Sequence, residues 1–349
     1  MSIDIEFGVK TRAGYGGYVS TTDGGWGISV YNSRFDQVPD LPSPETIEGI
    51  MLAKGAADAA EAVGNRFENM GRCITVISTT SGGQSVGARV THNLFIDPLN
   101  DCCALGQATA TIPGIRDIVF EDNTAVGGVN TGTGAHPDFF QAQGIRTATS
   151  ISFGSCQRNI YVTNGSDYGY QAYFLDDSVA GSSNANAIVT NNIACTTAVQ
   201  GIWLARFDNP KVQANTILKN LQPTALNPQV FIPSGAGGVG GSFNYNLLSS
   251  PLSIAAQTAP LTAPNTIVTQ SVSGFQAALP DWADEGLTDR ASVLTAYTPV
   301  AGGAAANPDG TYNGALFPPA PGETIGAWND LSVFQPANPS WVSVHPPAA

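Results

Sequence analysis

The sequence predicts an all-β fold, a solenoid in which parallel strands stack coil upon coil, and three observations support this class. Short strand-forming segments end in an asparagine every 23 to 41 residues, a spacing typical of repeat architectures. A second column, of glutamines, recurs every 29 to 34 residues. No amphipathic stretch of helical length separates the strands of successive repeats. The asparagines are Asn93, Asn123, Asn164, Asn192, Asn215 and Asn246, and the glutamines are Gln107, Gln141, Gln171, Gln200 and Gln229.

The asparagine column is interpreted as a structural ladder. Equivalent residues of adjacent coils lie about 4.8 Å apart, as neighbouring strands do. At that distance a buried asparagine donates its side-chain amide to the carbonyl of the next asparagine, so the column satisfies its own hydrogen bonds. Asparagine also tolerates the left-handed backbone of a tight corner. We therefore expect these residues to stabilise the coils rather than to act in catalysis.

Residues 1–71 are predicted to form an N-terminal attachment or capping segment that contains one helix over residues 43–70. Ser43 suits the N-cap, Pro44 suits the first helical position, and Glu45 complements the helix dipole. Apolar residues then recur near one helical face. Two interpretations are open: a cap over the end of the solenoid, or an oligomerisation or docking element.

The solenoid itself is predicted over residues 72–268. Residues 269–349 are rich in proline, alanine and threonine, so we expect an irregular C-terminal region that packs on the solenoid. The tryptophans of this region, Trp282, Trp328 and Trp341, are predicted to anchor it along the flank.

Composition limits the classes of function. The chain has 349 residues, with 27 acidic and 14 basic side chains and a net charge of −13, whereas nucleic-acid binding needs a basic face. No run of 18 apolar residues exists, so membrane insertion is not expected. The N-terminus lacks the basic start and apolar core of a signal peptide. The five cysteines show no metal-ligand spacing, so we expect reduced, buried thiols, no metal and no cofactor.

Period-two alternation along the glutamine strands predicts a ligand-binding strip on one outer wall. The outward positions are expected to be Phe140, Phe174, Trp203 and Ile232, with Phe139, Gln141, Tyr173, Leu175 and Phe231 on the inner face. Exposed aromatic rings suit sugar rings, and carboxylates hold sugar hydroxyls or act as acid and base. The candidate carbohydrate-binding residues are Phe140, Tyr168, Phe174, Asp177, Trp203, Arg206 and Asp208.

The segment Ala-His-Pro-Asp-Phe-Phe-Gln at 135–141 is the most distinctive local motif. His136 and Asp138 lie two residues apart on an extended strand, so they share a face and could act as a base and its partner. The alternative is a polar pair that braces a turn bent by Pro137. The candidate catalytic residues are His136, Asp138 and Asp176.

These features resemble the right-handed parallel β-helix proteins of the pectate-lyase-like superfamily. The resemblance covers roughly residues 72–268 and depends on the asparagine-ended strands, the coil period and three glutamine segments. Those segments are His-Pro-Asp-Phe-Phe-Gln at 136–141, Gln-Ala-Tyr-Phe-Leu at 171–175 and Gln-Gly-Ile-Trp-Leu at 200–204. The superfamily includes polysaccharide lyases, glycoside hydrolases and bacteriophage spikes, so the resemblance implies a carbohydrate ligand without fixing catalysis.

The resemblance and the N-terminal sequence favour a virion surface spike or fibre that binds host cell-surface polysaccharide. Spikes of bacteriophages and gene-transfer agents are made in the host cytoplasm without a signal peptide, which fits this N-terminus. Two alternatives stay open: a polysaccharide depolymerase, hydrolase or lyase, and a structural adaptor of a phage-like particle. The clustered aspartates of polygalacturonases and the calcium site of lyases are not found, which weighs against an enzyme. By analogy with known spikes, the expected partners are other virion structural proteins and two further copies in a trimer.

Overall fold

The fold was examined in a computed structural model. It describes residues 4–7, 19–20, 29–31, 33–37, 48–54, 60–78, 87–107, 117–128, 138–143, 152–163, 171–176, 184–219, 226–263 and 267–268. These residues form strands and tight corners, and none of them lies in a helix, so no helix among them could span a membrane.

Each coil of the chain contributes one short strand to each of three walls. The strands are β1 (Asp4–Phe7), β2 (Val19–Ser20), β3 (Ser29–Tyr31), β4 (Arg34–Gln37), β5 (Glu48–Lys54), β6 (Glu61–Val63), β7 (Arg66–Glu68), β8 (Arg72–Ser78), β9 (Arg89–Thr91), β10 (Leu94–Ile96), β11 (Cys103–Gln107), β12 (Ile118–Glu121), β13 (Thr124–Val126), β14 (Asp138–Gln143), β15 (Ser152–Gln157), β16 (Ile160–Val162), β17 (Gln171–Asp176), β18 (Asn184–Thr190), β19 (Ile193–Thr196), β20 (Gln200–Ala205), β21 (Phe207–Asp208), β22 (Lys211–Gln213), β23 (Thr216–Lys219), β24 (Gln229–Phe231), β25 (Val239–Ser242), β26 (Leu247–Leu248), β27 (Thr258–Thr262) and β28 (Ile267–Val268).

Three parallel sheets make these walls. Sheet A has the order β1-β4-β7-β10-β13-β16-β19-β23-β26-β28, sheet B has β2-β5-β8-β11-β14-β17-β20-β24, and sheet C has β27-β25-β22-β18-β15-β12-β9-β6-β3, with β21 also paired to β18. Neighbouring strands in each sheet come from consecutive coils and run parallel. This is a parallel β-helix, so the fold class predicted from the sequence is confirmed.

An asparagine ladder holds the corner between sheets C and A. In each of its six steps a side-chain Nδ2 donates to the Oδ1 of the asparagine in the next coil at 3.0–3.1 Å. The other Nδ2 proton of each member goes to a sheet C carbonyl of the preceding coil at 2.8–3.0 Å. In the same six steps a backbone N–H also reaches the next Oδ1, so the amides between the two ends of the ladder are saturated. The ladder consists of Asn65, Asn93, Asn123, Asn159, Asn192, Asn215 and Asn246, all fully buried.

Two of these positions correct the sequence analysis. Asn159, not Asn164, bridges Asn123 and Asn192. Asn164 lies outside the described residues, after the sheet A strand β16 rather than before it. Asn65 extends the ladder towards the N-terminus by one coil beyond the expected solenoid.

The predicted helix over residues 43–70 is wrong for the part of it that the structure describes. Residues 48–54, 61–63 and 66–68 are the strands β5, β6 and β7, one in each sheet. Ile50 and Leu52 are buried and stack in register on Ile74 and Val76 of the next coil. Helix propensity is a weak preference that tertiary packing overrides. Sheet pairing therefore continues N-terminally of Arg72, where a domain boundary was expected.

The core is a column of apolar side chains with aromatic rings at its centre. Phe67 stacks on Phe35 and Phe95 with ring centroids 4.8 and 5.3 Å away. In the next coil, Ala125 takes the sheet A position that Phe95 has in its own coil. The ring of Phe139 packs there, with its centroid 6.3 Å from that of Phe95 and 5.2 Å from that of Tyr161.

Residues 269–349 lie outside the described residues, so their predicted packing on the solenoid stays a prediction.

Candidate functional site

The outer face of sheet B carries a stack of aromatic rings, here called the outer aromatic column: Phe174, Trp203 and Phe231. Strand register places them one above another in β17, β20 and β24. The Phe174 and Trp203 ring centroids are 5.3 Å apart, and those of Trp203 and Phe231 are 4.8 Å apart. All three side chains are half-buried, whereas Tyr173 and Leu175 on the opposite face of β17 are fully buried. The expected outward placement of Phe174 and Trp203 is therefore what the structure shows.

The last ring of the column was missed because of an irregularity in sheet B. Gln200 pairs with Gln229, but Ile202 pairs with Val230, so Gly201 is an extra residue in β20. A Cβ at Gly201 would overlap Ile217 Cγ2, so any larger residue there would force Ile217 to move. The shift inverts the expected alternation in β24: Phe231 faces outward, and Ile232 is buried.

Phe140 is not on the outer wall, contrary to the expected alternation. It is fully buried, and its ring stacks on Phe120 with centroids 4.4 Å apart. Gln141 takes the outward position, in register with Phe174. The expectation failed because it aligned Gln141 with Gln171. The burial of Phe140 removes this residue from the set of candidate carbohydrate-binding residues.

The true partner of Gln171 across the sheet is Asp138. Asp138 follows Asp101 in the preceding coil, whose Oδ1 accepts from the backbone N–H of Asp138 at 3.1 Å. Asp101 in turn accepts from Arg72 Nε at 3.1 Å. We call this line at the start of sheet B the polar corner column: Arg72, Asp101, Asp138, Gln171, Gln200 and Gln229. The predicted glutamine column is thus correct in its last three members, and aspartates replace its first two.

Asp138 is enclosed in the wall, since only 1% of its surface is exposed. Its Oδ2 accepts from Gln141 Nε2 at 2.9 Å, and its Oδ1 has no hydrogen-bond partner within the described part of the chain. Burial raises the pKa of the Asp138 carboxyl well above its ordinary value, and the charge of Asp101 raises it further. Burial therefore favours the neutral form of the carboxyl, which does not reach the outer surface. His136 lies outside the described residues, so the predicted pair with Asp138 stays a prediction.

An ion pair lies beside the outer aromatic column. Arg206 Nη1 is 3.6 Å from Asp176 Oδ1, and each side chain is 21% exposed. Arg206 follows β20 with a left-handed φ of 64°, which turns the chain from sheet B into sheet C. Asp208 therefore lies on sheet C, where its Oδ1 accepts from the Val239 N–H at 2.8 Å. The structure brings Asp176 and Arg206 to the column and places Asp208 on another wall.

Neighbouring rings of the column cover part of one another's surface. Phe174 and Trp203 lie within 28° of parallel, so each covers a face of the other. The Trp203 Nε1 atom is buried and donates to no acceptor among the described residues. The outer wall therefore offers an apolar ridge with the Asp176–Arg206 pair at its side, rather than a flat ring for sugar stacking. Tyr168 and Asp177, the remaining predicted binding residues, lie outside the described residues.

Comparison with known proteins adds no assignment: no protein-family model, curated protein or solved structure matches this chain. Among the described residues, no group of three or more histidine, cysteine, aspartate or glutamate side chains could hold a metal ion.

Proposed function

We propose that this protein is a virion surface spike or fibre that binds a bacterial surface polysaccharide along the outer face of sheet B. The observation that carries the proposal is the outer aromatic column beside the Asp176–Arg206 ion pair. One ring in each of three consecutive coils makes the apolar ridge continuous over those coils, which suits an extended polymer better than a compact ligand.

The chemistry of the ridge fits sugars. The rings provide apolar contact for the C–H groups of a sugar, and the ion pair provides donors and acceptors for hydroxyl or carboxylate groups. Arg206 is the residue for an acidic sugar, because a guanidinium binds a carboxylate through two parallel hydrogen bonds. Virion location, trimeric assembly and other virion proteins as partners are supported by the resemblance to β-helix spikes.

Glycan binding tests the proposal. The wild-type protein is applied to an array of bacterial capsular and lipopolysaccharide glycans, and its affinity for the strongest ligand is then measured. We expect Trp203→Ala to weaken binding at least about tenfold, which corresponds to about 1.4 kcal/mol. Trp203→Phe keeps the stack and should keep most of the affinity.

The matched control is Leu226→Ala, which removes a 57% exposed apolar side chain that does not belong to the column. Urea unfolding of each variant separates a lost contact from a lost fold. A silent array, or equal binding by wild-type protein and Trp203→Ala, would contradict the proposal. A silent array together with tight binding to a particle protein would favour the structural adaptor.

A polysaccharide depolymerase is the second candidate, favoured by one observation. Asp138 has a raised pKa, as a general acid at neutral pH requires. Its enclosure in the wall opposes that role. Incubation of the protein with the polysaccharide that it binds tests whether it is an enzyme. New reducing ends indicate a hydrolase, and unsaturated products indicate a lyase. If Asp138 is the general acid, Asp138→Asn must abolish either activity.

A further inference from the structure

Two register partners in the polar corner column each carry a buried oxygen atom that accepts from no donor among the described residues. Asp138 and Gln171 are register partners in adjacent strands, which lie about 4.8 Å apart. Asp138 Oδ1 and Gln171 Oε1 are both buried, and neither has a hydrogen-bond partner among the described residues. If Asp138 is ionised, both atoms are hydrogen-bond acceptors, and neither residue can supply a proton from these oxygens to form a bond between them.

The groups around Asp138 do not supply a compensating positive charge. On the preceding coil, Asp101 carries the charge that Arg72 neutralises at 3.1 Å, and its other oxygen takes the Asp138 N–H. Burial raises the pKa of the neighbouring Cys102 and Cys103 thiols, so they remain neutral. On its own strand, Asp138 meets only the amide of Gln141. Within the described part of the chain, the one charge that faces Asp138 is therefore the negative charge of Asp101.

We propose that Asp138 is a carboxylic acid at neutral pH and donates a hydrogen bond from Oδ1 to Gln171 Oε1. The polar corner column is then closed by an acid–amide step between two coils, in the way that amide–amide steps close the asparagine ladder. Folding keeps a proton that the unfolded chain releases, and the stability of the solenoid becomes dependent on pH.

The direction of the dependence follows from the raised pKa. An aspartate in an unfolded chain ionises near pH 3.9, and burial together with Asp101 moves the ionisation of Asp138 upward in the fold. Between the two pKa values the folded state binds one more proton than the unfolded state. Stability therefore falls as pH rises through this window, by a factor of ten in the unfolding constant for each pH unit.

Urea unfolding of wild-type protein and Asp138→Asn between about pH 4 and pH 9 tests the proposal. Asparagine keeps the shape, donates to Gln171 at every pH, and does not titrate. We expect the ratio of the wild-type unfolding constant to that of Asp138→Asn to rise tenfold per pH unit above about pH 4, until Asp138 ionises in the fold. The control is Asn227→Ala, at an exposed residue that does not titrate, for which the ratio should stay constant.

A ratio for Asp138→Asn that stays constant with pH would overturn the proposal, because an ionised Asp138 would then be accepting from the Gln171 amide. A second measurement does not depend on the variant being folded. Carbon-13 NMR of the aspartate carboxyls in wild-type protein at pH 7 should show one carboxyl that is still protonated. Asp101→Asn removes the opposing charge, so it should shift the ionisation of this carboxyl to lower pH; a spectrum with every aspartate ionised at pH 7 would refute the assignment.

Discussion

Replacement of Asn159 by alanine removes the central member of the asparagine ladder and tests whether the ladder holds the coils together. The side chain of Asn159 makes four hydrogen bonds: from Nδ2 to Phe120 O and Asn192 Oδ1, and at Oδ1 from the N–H and the Nδ2 of Asn123. In Asn159→Ala, three buried groups lose their partner: both Asn123 donors and the Phe120 carbonyl. Asn192 Oδ1 still accepts from the Asn159 N–H at 3.0 Å.

The magnitude follows from these three groups. A buried polar group left unsatisfied costs about 1–3 kcal/mol, so Asn159→Ala should lower the free energy of unfolding by at least about 3 kcal/mol. Urea unfolding followed by far-UV circular dichroism gives the midpoint and the slope of the transition. An unchanged slope with a lower midpoint indicates loss of stability in a cooperative unit. A lower slope indicates that coils on one side of Asn159 open separately, as quasi-one-dimensional solenoids allow.

Two further variants sharpen the result. Asn227→Ala changes an exposed asparagine outside the ladder and should remain within about 0.5 kcal/mol of wild type. Asn159→Asp keeps the acceptor for Asn123 but places a buried carboxylate oxygen against the Phe120 carbonyl and Asn192 Oδ1, so it should be severely destabilised at neutral pH and partly rescued in acid. A loss below about 1 kcal/mol for Asn159→Ala would refute the view that the ladder stabilises this fold.

Two predictions concern the walls and the core. Gly201→Ala should cost about 1–3 kcal/mol, because the new Cβ would overlap Ile217 and lie 3.2 Å from the Gln229 carbonyl oxygen. Combination with Ile217→Ala should cost less than the sum of the two changes, as a urea double-mutant cycle would show; strict additivity would exclude the overlap. Phe139→Ala should lower the free energy of unfolding by about 3–5 kcal/mol because it empties the space beside Tyr161. Phe174→Ala, at a half-buried outer position, should lower the free energy of unfolding by less than Phe139→Ala does. Equal losses for the two variants would contradict the difference in burial between the two rings.

The fold could be predicted from the sequence because the ladder leaves a direct trace in it. Each ladder asparagine follows a residue in the left-handed region, with φ between 52° and 67°, and precedes a sheet A strand. Asn164 was mistaken for a member because a strand-forming segment precedes it, but the sequence Gly-Ser-Asp follows it instead of strand-forming residues. The informative signal is therefore what comes after the asparagine. Where residues 43–70 are described, the helix prediction failed for a different reason: local propensity carries no information on stacking between coils.

The candidate site was harder to predict, because outward and inward positions depend on register across coils. A slip of one residue moves every side chain to the other face. Matching Gln141 with Gln171 instead of Phe174 was a slip of three residues, an odd number that also exchanges the faces, and Phe140 was placed outward when it is buried. The extra residue at Gly201 inverted the faces of β24 in the same way. Phe174 and Trp203 were placed correctly because β17 and β20 pair without an irregularity between these residues.

Polysaccharide cleavage by Asp138→Asn separates the two roles that this carboxyl could have. A general acid must release its proton to the substrate, so in that role the variant would lose polysaccharide cleavage. A structural donor to Gln171 is replaced by an amide that needs no proton, so in that role any cleavage would be unaffected. The gain in stability that grows with pH follows from the raised pKa in either role. The position of Asp138 in the column favours the structural role. Its proton faces the next coil of the wall, and only 1% of its surface is open to a ligand.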